Sequence, residues 1–268
     1  MSHCCPVCGG ASRFAGVRLS GYQVFACEQC SFQFAPDAFG VTVDYDAVYE
    51  TPEYVGNQVL PLRTAAVFPD FARIPTYRPF FRNLGPGRGR TLLDVGCGVG
   101  RFCHAAHHAG WEVTGIDVSP RAVEIGSRHA RFPLRRVSAE EMLREMKRFD
   151  VVTAFEVLEH LSNPREFLVQ LRDLSAPAGL VFCTVPNWDC QEVQTATRPD
   201  WVPPIHLGFF TAAALQKVGE RAGFTRSRVG SIFTDTLPRH PVRMARWLVR
   251  RLRGRSRQPL GLWLQASK

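Results

Sequence analysis

No apolar run in this 268-residue chain approaches the roughly 20 residues that a membrane-spanning helix needs. The first residues, MSHCCPVCGG, lack a basic stretch followed by an apolar one, the mark of a secretory leader, so a reducing, cytoplasmic setting is expected. In such a setting nine cysteines point to metal ligation before disulfides. Lysine is nearly missing, three against thirty arginines, a bias that fits source-genome base composition. An arginine is therefore weak evidence for a guanidinium-specific contact. Acids are absent from residues 236–268, where eight arginines and Lys268 make up the whole formal net charge of +9. The preceding 235 residues balance, 24 basic against 24 acidic.

With 45% hydrophobic and 21% charged residues, the main body is expected to be globular, and the length suits one α/β domain plus a small module. That module is read over residues 1–36. Cys5, Cys8, Cys27 and Cys30 form two C-x2-C pairs eighteen residues apart, the spacing of a zinc ribbon whose knuckles close one tetrahedral site. Four thiolates leave no open position, so the metal is expected to be structural, and Cys4 is surplus. A unit this small needs the metal to fold.

Residues 37–90 are rich in aromatics and prolines and read as a helical lid and linker. Tyr45 and Tyr49, at i and i+4, would present both hydroxyls on one helix face. From 91 to 268 strands and helices alternate. Strands are expected near Leu92–Val95, Glu112–Ile116, Leu134–Val137, Asp150–Ala154 and Leu180–Val185, with Arg226–Phe233 and Leu260–Gln265 as a closing antiparallel pair. The fold class is thus α/β: a Rossmann-like, seven-stranded, mainly parallel sheet with an antiparallel last strand. Ser119-Pro120, Asn163-Pro164 and Thr211 read as helix starts. In the first helix Phe102, Ala105, Ala106 and Ala109 form the buried stripe, which leaves His104, His107 and His108 on a solvated face. Residues 237–257 read as an Arg-rich helical insertion.

The stretch Thr91–Pro120, TLLDVGCGVGRFCHAAHHAGWEVTGIDVSP, is a strand, Gly-rich turn, helix, strand and acid, the unit that holds adenosine cofactors. A dinucleotide wants G-x-G-x-x-G; here the glycines run G-x-G-x-G at 96, 98 and 100, behind Asp94. An acid there repels a diphosphate and attracts a cation. S-adenosylmethionine, with an ammonium, a sulfonium and no phosphate, suits it better. Asp117 can take both ribose hydroxyls.

Over about residues 90–235 the chain resembles the class I S-adenosylmethionine-dependent methyltransferases: DVGCGVG is similar to their first motif, IDVSP to the ribose-binding turn, and SAEEM (Ser138–Met142) to the adenine segment. FEVLEHL (Phe155–Leu161) and PPIHLGFFT (Pro203–Thr211) resemble the subgroup of ubiquinone-biosynthesis O-methyltransferases and natural-product enzymes, and the zinc module with its Tyr-rich stretch resembles deoxysugar C-methyltransferases. The resemblance implies cofactor contacts from Asp94, Gly96, Cys97, Gly98, Gly100, Asp117, Val118, Ala139, Glu140, Phe155 and Glu156. Ser138 stands where the family often has Asp, so the adenine contact passes to Glu140 or backbone.

For the base that deprotonates an acceptor, His206 ranks first, in the Pro-rich loop after the fifth strand, then His160, then Tyr45 and Tyr49 as acceptor contacts. The E-x-x-E-H run at Glu156, Glu159 and His160, which some ubiquinone-type enzymes use for a divalent cation, reads more simply as an acid pair at a helix N-terminus. The expected substrate is a small or carrier-linked metabolite, methylated at oxygen or an activated sugar carbon. An anionic membrane surface or acidic carrier protein is the expected partner of the Arg-rich segment, which makes peripheral membrane attachment a further expectation. An rRNA methyltransferase is the alternative, weakened by the missing N-P-P-Y or D-P-P-Y run and by charge confined to one segment. A non-catalytic scaffold ranks third, since the glycine loop is intact.

Overall fold

A computed structural model describes residues 3–64, 68–195, 201–233 and 259–268; the Arg-rich stretch 237–257, expected as a helical insertion, lies outside them. In chain order the strands are β1 (His3–Cys4), β2 (Ala11–Leu19), β3 (Tyr22–Cys27), β4 (Gln33–Phe34), β5 (Thr91–Val95), β6 (Glu112–Asp117), β7 (Leu134–Arg136), β8 (Phe149–Phe155), β9 (Ser175–Pro186), β10 (Gly208–Phe209), β11 (Arg226–Ile232) and β12 (Gly261–Ser267). Among the described residues no helix is long and apolar enough to cross a membrane.

Seven strands form the main sheet in the order β11-β12-β9-β8-β5-β6-β7. β5 to β9 run parallel; β12 is antiparallel to β9, and β11 to β12. Leu92, Leu93, Val152, Val181 and Cys183 are fully buried, as expected of strands covered on both faces. Chain order reverses between β5 and β8, because β6 and β7 are laid down on one side and β9 on the other. That reversal leaves a crevice beyond the carboxyl ends of β5 and β8, where side chains and ligands can meet.

The sequence signals for the helices are realised as caps. Ser119 Oγ accepts from Ala122 N at 3.0 Å ahead of the helix Pro120–Ser127, Asn163 Oδ1 from Glu166 N at 3.3 Å ahead of Pro164–Leu174, and Thr211 Oγ1 from Ala214 N at 3.1 Å ahead of Ala212–Arg221. Within the stretch read as a helical lid, residues 45–63 form a chain of short turns: helices Tyr45–Glu50 and Pro52–Tyr54, then a π turn and a 3₁₀ turn.

Two expectations change. The small sheet is not confined to residues 1–36: after β1-β2-β3-β4 its last strand is β10, two residues beyond His206. And His104 is not on a solvated face. Its helix, Arg101–His108, is overlaid by the lid turn Phe68–Phe71, which buries His104 to 3% exposure while His107 and His108 stay exposed. The imidazole lies 4.0 Å from the Phe68 ring and 4.9 Å from Phe132, and its Nε2 has no hydrogen-bond partner. Phe102, Ala105 and Ala106 are buried as the spacing predicts, with Ala109 half-buried, but a second apolar layer from Phe68–Phe71 covers the opposite face at His104.

Burial lowers the pKa of His104 to about 4. Because the unfolded chain takes up that proton near pH 6.5, stability is lost as pH falls from 6.5 toward 4. His104→Leu removes both the unsatisfied nitrogen and this loss. Thermal melts are expected to show the variant at least as stable as the parent at pH 7.5 and ahead by about 1–2 kcal/mol at pH 5; an equal acid sensitivity in both proteins would mean that the imidazole reaches water.

Candidate active site

At the end of β5 the chain turns through three glycines in the left-handed region, Gly96 (φ +73°), Gly98 (φ +52°) and Gly100 (φ +83°). A Cβ on Gly96 would lie 2.6 Å from Val157 Cγ2, and one on Gly98 3.0 Å from the Tyr54 hydroxyl, so the loop has no room for side chains. Ile116 O accepts from Gly96 N (2.9 Å) and Cys97 N (3.0 Å), which ties the loop to β6. Asp117, at the end of β6, accepts from Gly98 N at 2.8 Å through Oδ2 and from Ser119 N at 2.9 Å through Oδ1. Burial raises its pKa, opposed by those amides. Beneath the loop Asp94 is buried, with Thr153 Oγ1 donating at 2.7 Å and Cys103 Sγ at 3.5 Å; desolvation lifts its pKa to about 7.

The remaining residues expected around the cofactor are placed as follows. Cys97 is buried in the loop and Val118 is exposed in the turn after Asp117. Ala139 is buried at the start of the helix Ala139–Arg144. Ser138 is spent on a capping box with Glu141, and the Glu140 carboxylate pairs with Arg144 at 2.6 Å on its own helix. Phe155 ends β8 against Phe102 (4.2 Å) and Tyr77 (5.0 Å).

Past β8 lies a second group. Glu156 has φ +55°, and a 3₁₀ turn, Leu158–His160, follows; the next α-helix begins only at Pro164. Glu156 and Glu159 are therefore not a dipole-stabilised pair at a helix N-terminus, as expected from sequence: Glu159 is buried and Glu156 half-buried. Glu156 Oε1 and both Glu159 oxygens lack hydrogen-bond partners. Burial raises Glu156 to about 7, and burial together with Glu156 holds Glu159 well above the ordinary carboxylate range.

The loop before β10 brings His206 to this group, its ring 4.7 Å from His160. Glu159 O accepts from Leu207 N at 2.7 Å, and His160 Nδ1 lies 2.9 Å from Ile205 O. A carbonyl can only accept, so in the neutral ring Nδ1 carries the proton and Nε2 the lone pair. His206 is 7% exposed, and burial keeps it neutral, well below the usual imidazole pKa. Donor atoms of Glu159, His160 and His206 all lie within 4.8 Å of one another, so the three could hold a divalent cation.

The lid joins the two groups. Tyr45 stands edge-on to His160, ring centroids 6.0 Å apart, and burial, with Glu159 nearby, raises its pKa. Tyr49, one turn on, packs on Tyr54 at 4.8 Å, and burial and Asp117 raise it. Sequence reasoning passed over Tyr54 and Tyr77, the latter a half-buried phenol whose pKa desolvation raises, with Asp94 and Glu156 adding to it. Nothing local separates them from the packing aromatics around them.

A third group lies on the small sheet. Cys5 and Cys30 sulfurs are 3.6 Å apart, those of Cys8 and Cys27 3.4 Å, and all four lie within 4.8 Å. Val7 N and Gln29 N each point at a sulfur at 3.4 Å, and Cys4 is exposed outside the set. The chemistry and spacing suit a tetrahedral thiolate site.

A family model described as a methyltransferase domain matches residues 71–227. The chain is 36% identical over 107 residues to a ubiquinone biosynthesis O-methyltransferase of Cereibacter sphaeroides, covering 38% of this chain and 43% of that protein. It is 31% identical over 157 residues to the mitochondrial ubiquinone biosynthesis O-methyltransferase of Schizosaccharomyces pombe, covering 55% and 57%. The chain thus spans about half the length of these relatives. Among solved structures, a SAM-dependent methyltransferase from Archaeoglobus fulgidus matches with TM-score 0.56 at 20% identity, over 81% of this chain and all of that one. The plantazolicin methyltransferase BpumL with S-adenosylhomocysteine matches with TM-score 0.53 at 15% identity, over 83% and 93%. At such identities the likeness is one of fold.

Gly96 offers a test of the loop. Gly96→Ala combines a left-handed backbone with the 2.6 Å approach to Val157, and urea unfolding is expected to show a loss of about 1–3 kcal/mol. Adding Val157→Ala should recover the steric share against the Val157→Ala parent, leaving about 1 kcal/mol; strict additivity of the two losses would show that the side chains do not meet.

Proposed function

The chain belongs to the methyltransferase-domain family as an S-adenosylmethionine-dependent enzyme, and from that premise we propose that it methylates an oxygen, or an activated sugar carbon, of a small or carrier-linked metabolite. The observation that carries the acceptor side is the His160 ring, fixed by Ile205 O with Nε2 as the basic nitrogen, inside a group built with Glu159 and His206.

The residues at the glycine loop fit the cofactor. Two acids with raised pKa, Asp94 and Glu156, the latter with an unpartnered oxygen, suit a ligand that brings positive charge. Asp117 has two oxygens for two ribose hydroxyls, and with Ser138 and Glu140 engaged on their own helix, the adenine edge is read by backbone around Ala139. When bound, S-adenosylmethionine supplies a methyl group on a sulfonium, open to in-line displacement. The chain supplies orientation, for which well-aligned reactions reach effective molarities of about 10^5 to 10^8 M. Nε2 of His160 takes the acceptor proton. His206, held neutral, adds no competing positive charge, and Tyr45 and Tyr49 hold the acceptor against the ring.

A second reading of the acceptor group follows from its three clustered donors: Glu159, His160 and His206 hold a divalent cation that acidifies the acceptor. Magnesium or manganese titration into chelator-washed protein, with heat lost in Glu159→Gln, would favour it. The four cysteines are read as a structural zinc site, and the acid-free stretch 236–268 supports an anionic membrane surface or acidic carrier protein as the vehicle that presents the acceptor.

Calorimetry should show the protein binding S-adenosylhomocysteine, and Asp117→Ala should weaken it by at least about tenfold, the worth of charge-assisted hydrogen bonds; unchanged affinity would remove the ribose assignment. In an acceptor screen read by S-adenosylhomocysteine release, His160→Asn should cut turnover by about 10^2 to 10^4 with affinity for the product held within about twofold. A variant as active as the parent would return the proton to His206. Metal analysis should return one zinc per chain, lost in Cys5→Ser with Cys27→Ser.

A further inference from the structure

The lid helix Tyr45–Glu50 buries none of its side chains completely, so apolar packing alone does not place it. Its placement comes from polar contacts with the turn after β6. Ser119 Oγ donates to Asp46 Oδ1 at 2.5 Å while accepting from Ala122 N, so both the hydroxyl proton and a lone pair are assigned. The backbone N–H of the same Ser119 donates to Asp117, and Asp117 accepts from Gly98. A continuous hydrogen-bond chain therefore runs from the glycine loop through the ribose acid to the lid. The second contact, Arg121 to Glu50 at 3.1 Å, joins a 36% exposed side chain to a 61% exposed one. An exposed pair of this kind contributes little. The Asp46–Ser119 bond, on a serine that is 5% exposed, is the better shielded of the two polar contacts.

On the other side of that helix the ring of Tyr45 meets His160, and Tyr49 meets Tyr54, whose hydroxyl lies over Gly98. We propose that Asp46 is a positioning residue: it keys the lid helix to the ribose turn through Ser119, so that Tyr45 reaches His160 only when the turn around Asp117 is set for the cofactor. The proposal rests on the methyl-transfer reading above. Asp46 also carries a negative charge toward Asp117 and raises its pKa. An asparagine would accept the same bond without that repulsion, so the acid and the amide separate hydrogen bonding from charge.

The test uses the full chain and S-adenosylhomocysteine, with affinity from calorimetry and amide exchange followed over residues 45–54. In the parent the ligand is expected to slow exchange of this segment about tenfold. Asp46→Ala should lose that protection and bind about tenfold more weakly, since coupling acts equally in both directions, with exchange in β5 and β8 unchanged. Asp46→Asn should restore both within about threefold. Ser119→Gly removes the hydroxyl at a position where glycine still caps the helix; it should reproduce Asp46→Ala, and the double variant should be no worse than either. Protection and affinity kept in Asp46→Ala would overturn the proposal, as would an Asp46→Asn protein that behaves like Asp46→Ala. Failure of the parent to bind S-adenosylhomocysteine would instead strike the methyl-transfer reading itself.

Discussion

Two backbone amides on one buried carboxylate set the geometry on which the rest of the site depends. Gly98 and Ser119 both donate to Asp117, one from the loop after β5 and one from the turn after β6. Those elements lie on neighbouring parallel strands, so the carboxylate acts as a staple across the open end of the sheet. Each amide it accepts favours the ionised form that burial opposes. The loop can satisfy this arrangement only with glycine at 96 and 98, where Val157 after β8 and Tyr54 of residues 45–63 close in. Placement of loop, turn and lid is therefore one problem with one solution, not three independent ones.

Much of the main domain was legible because its signals are local. Strand periodicity, the caps at Ser119, Asn163 and Thr211, the glycine spacing and the cysteine pairs each need only a few consecutive residues, and each was found where expected. What escaped depends on contacts between distant segments. His104 looks solvated on its own helix and is buried by a lid turn more than thirty residues earlier. Glu159 looks like a first-turn acid and is instead enclosed, because the chain after Phe155 makes a 3₁₀ turn and not a helix. Tyr54 is one aromatic among many until Gly98 is placed beneath it. The pairing of Asp46 with Ser119 spans 73 positions and has no sequence signature.

The small sheet shows the same principle at a larger scale. Read alone, its cysteines describe a self-contained module stabilised by metal. In the folded chain β4 pairs with β10, Ala35 N donates to Leu207 O at 3.0 Å, and Phe32 packs on Phe210 at 4.8 Å. A Cβ on Gly208 would meet the Phe32 ring at 2.6 Å, so the junction has no slack. Cys30 sits three positions before β4, and His206 two before β10. The cysteine set thus braces the strand that follows the His206 loop, and a group usually regarded as structural becomes part of the geometry around His160.

The buried acids give the site its electrical character. Desolvation pushes Asp94 and Glu156 up to about 7 and, with Glu156 beside it, holds Glu159 well above the ordinary carboxylate range; three carboxyl groups so placed cannot all be charged at neutral pH at low cost. Their burial makes sense if something cationic shares the space, since a neighbouring positive charge returns each acid to its ionised form and recovers part of the desolvation cost. His206 follows the opposite logic: the same burial keeps it neutral, so it adds no positive charge that would compete with a cationic ligand. The crevice thereby holds acids that favour positive charge near the glycine loop and, across from them, an imidazole at His206 that burial keeps uncharged. The lid tyrosines, at one helical turn's spacing, span the gap between them.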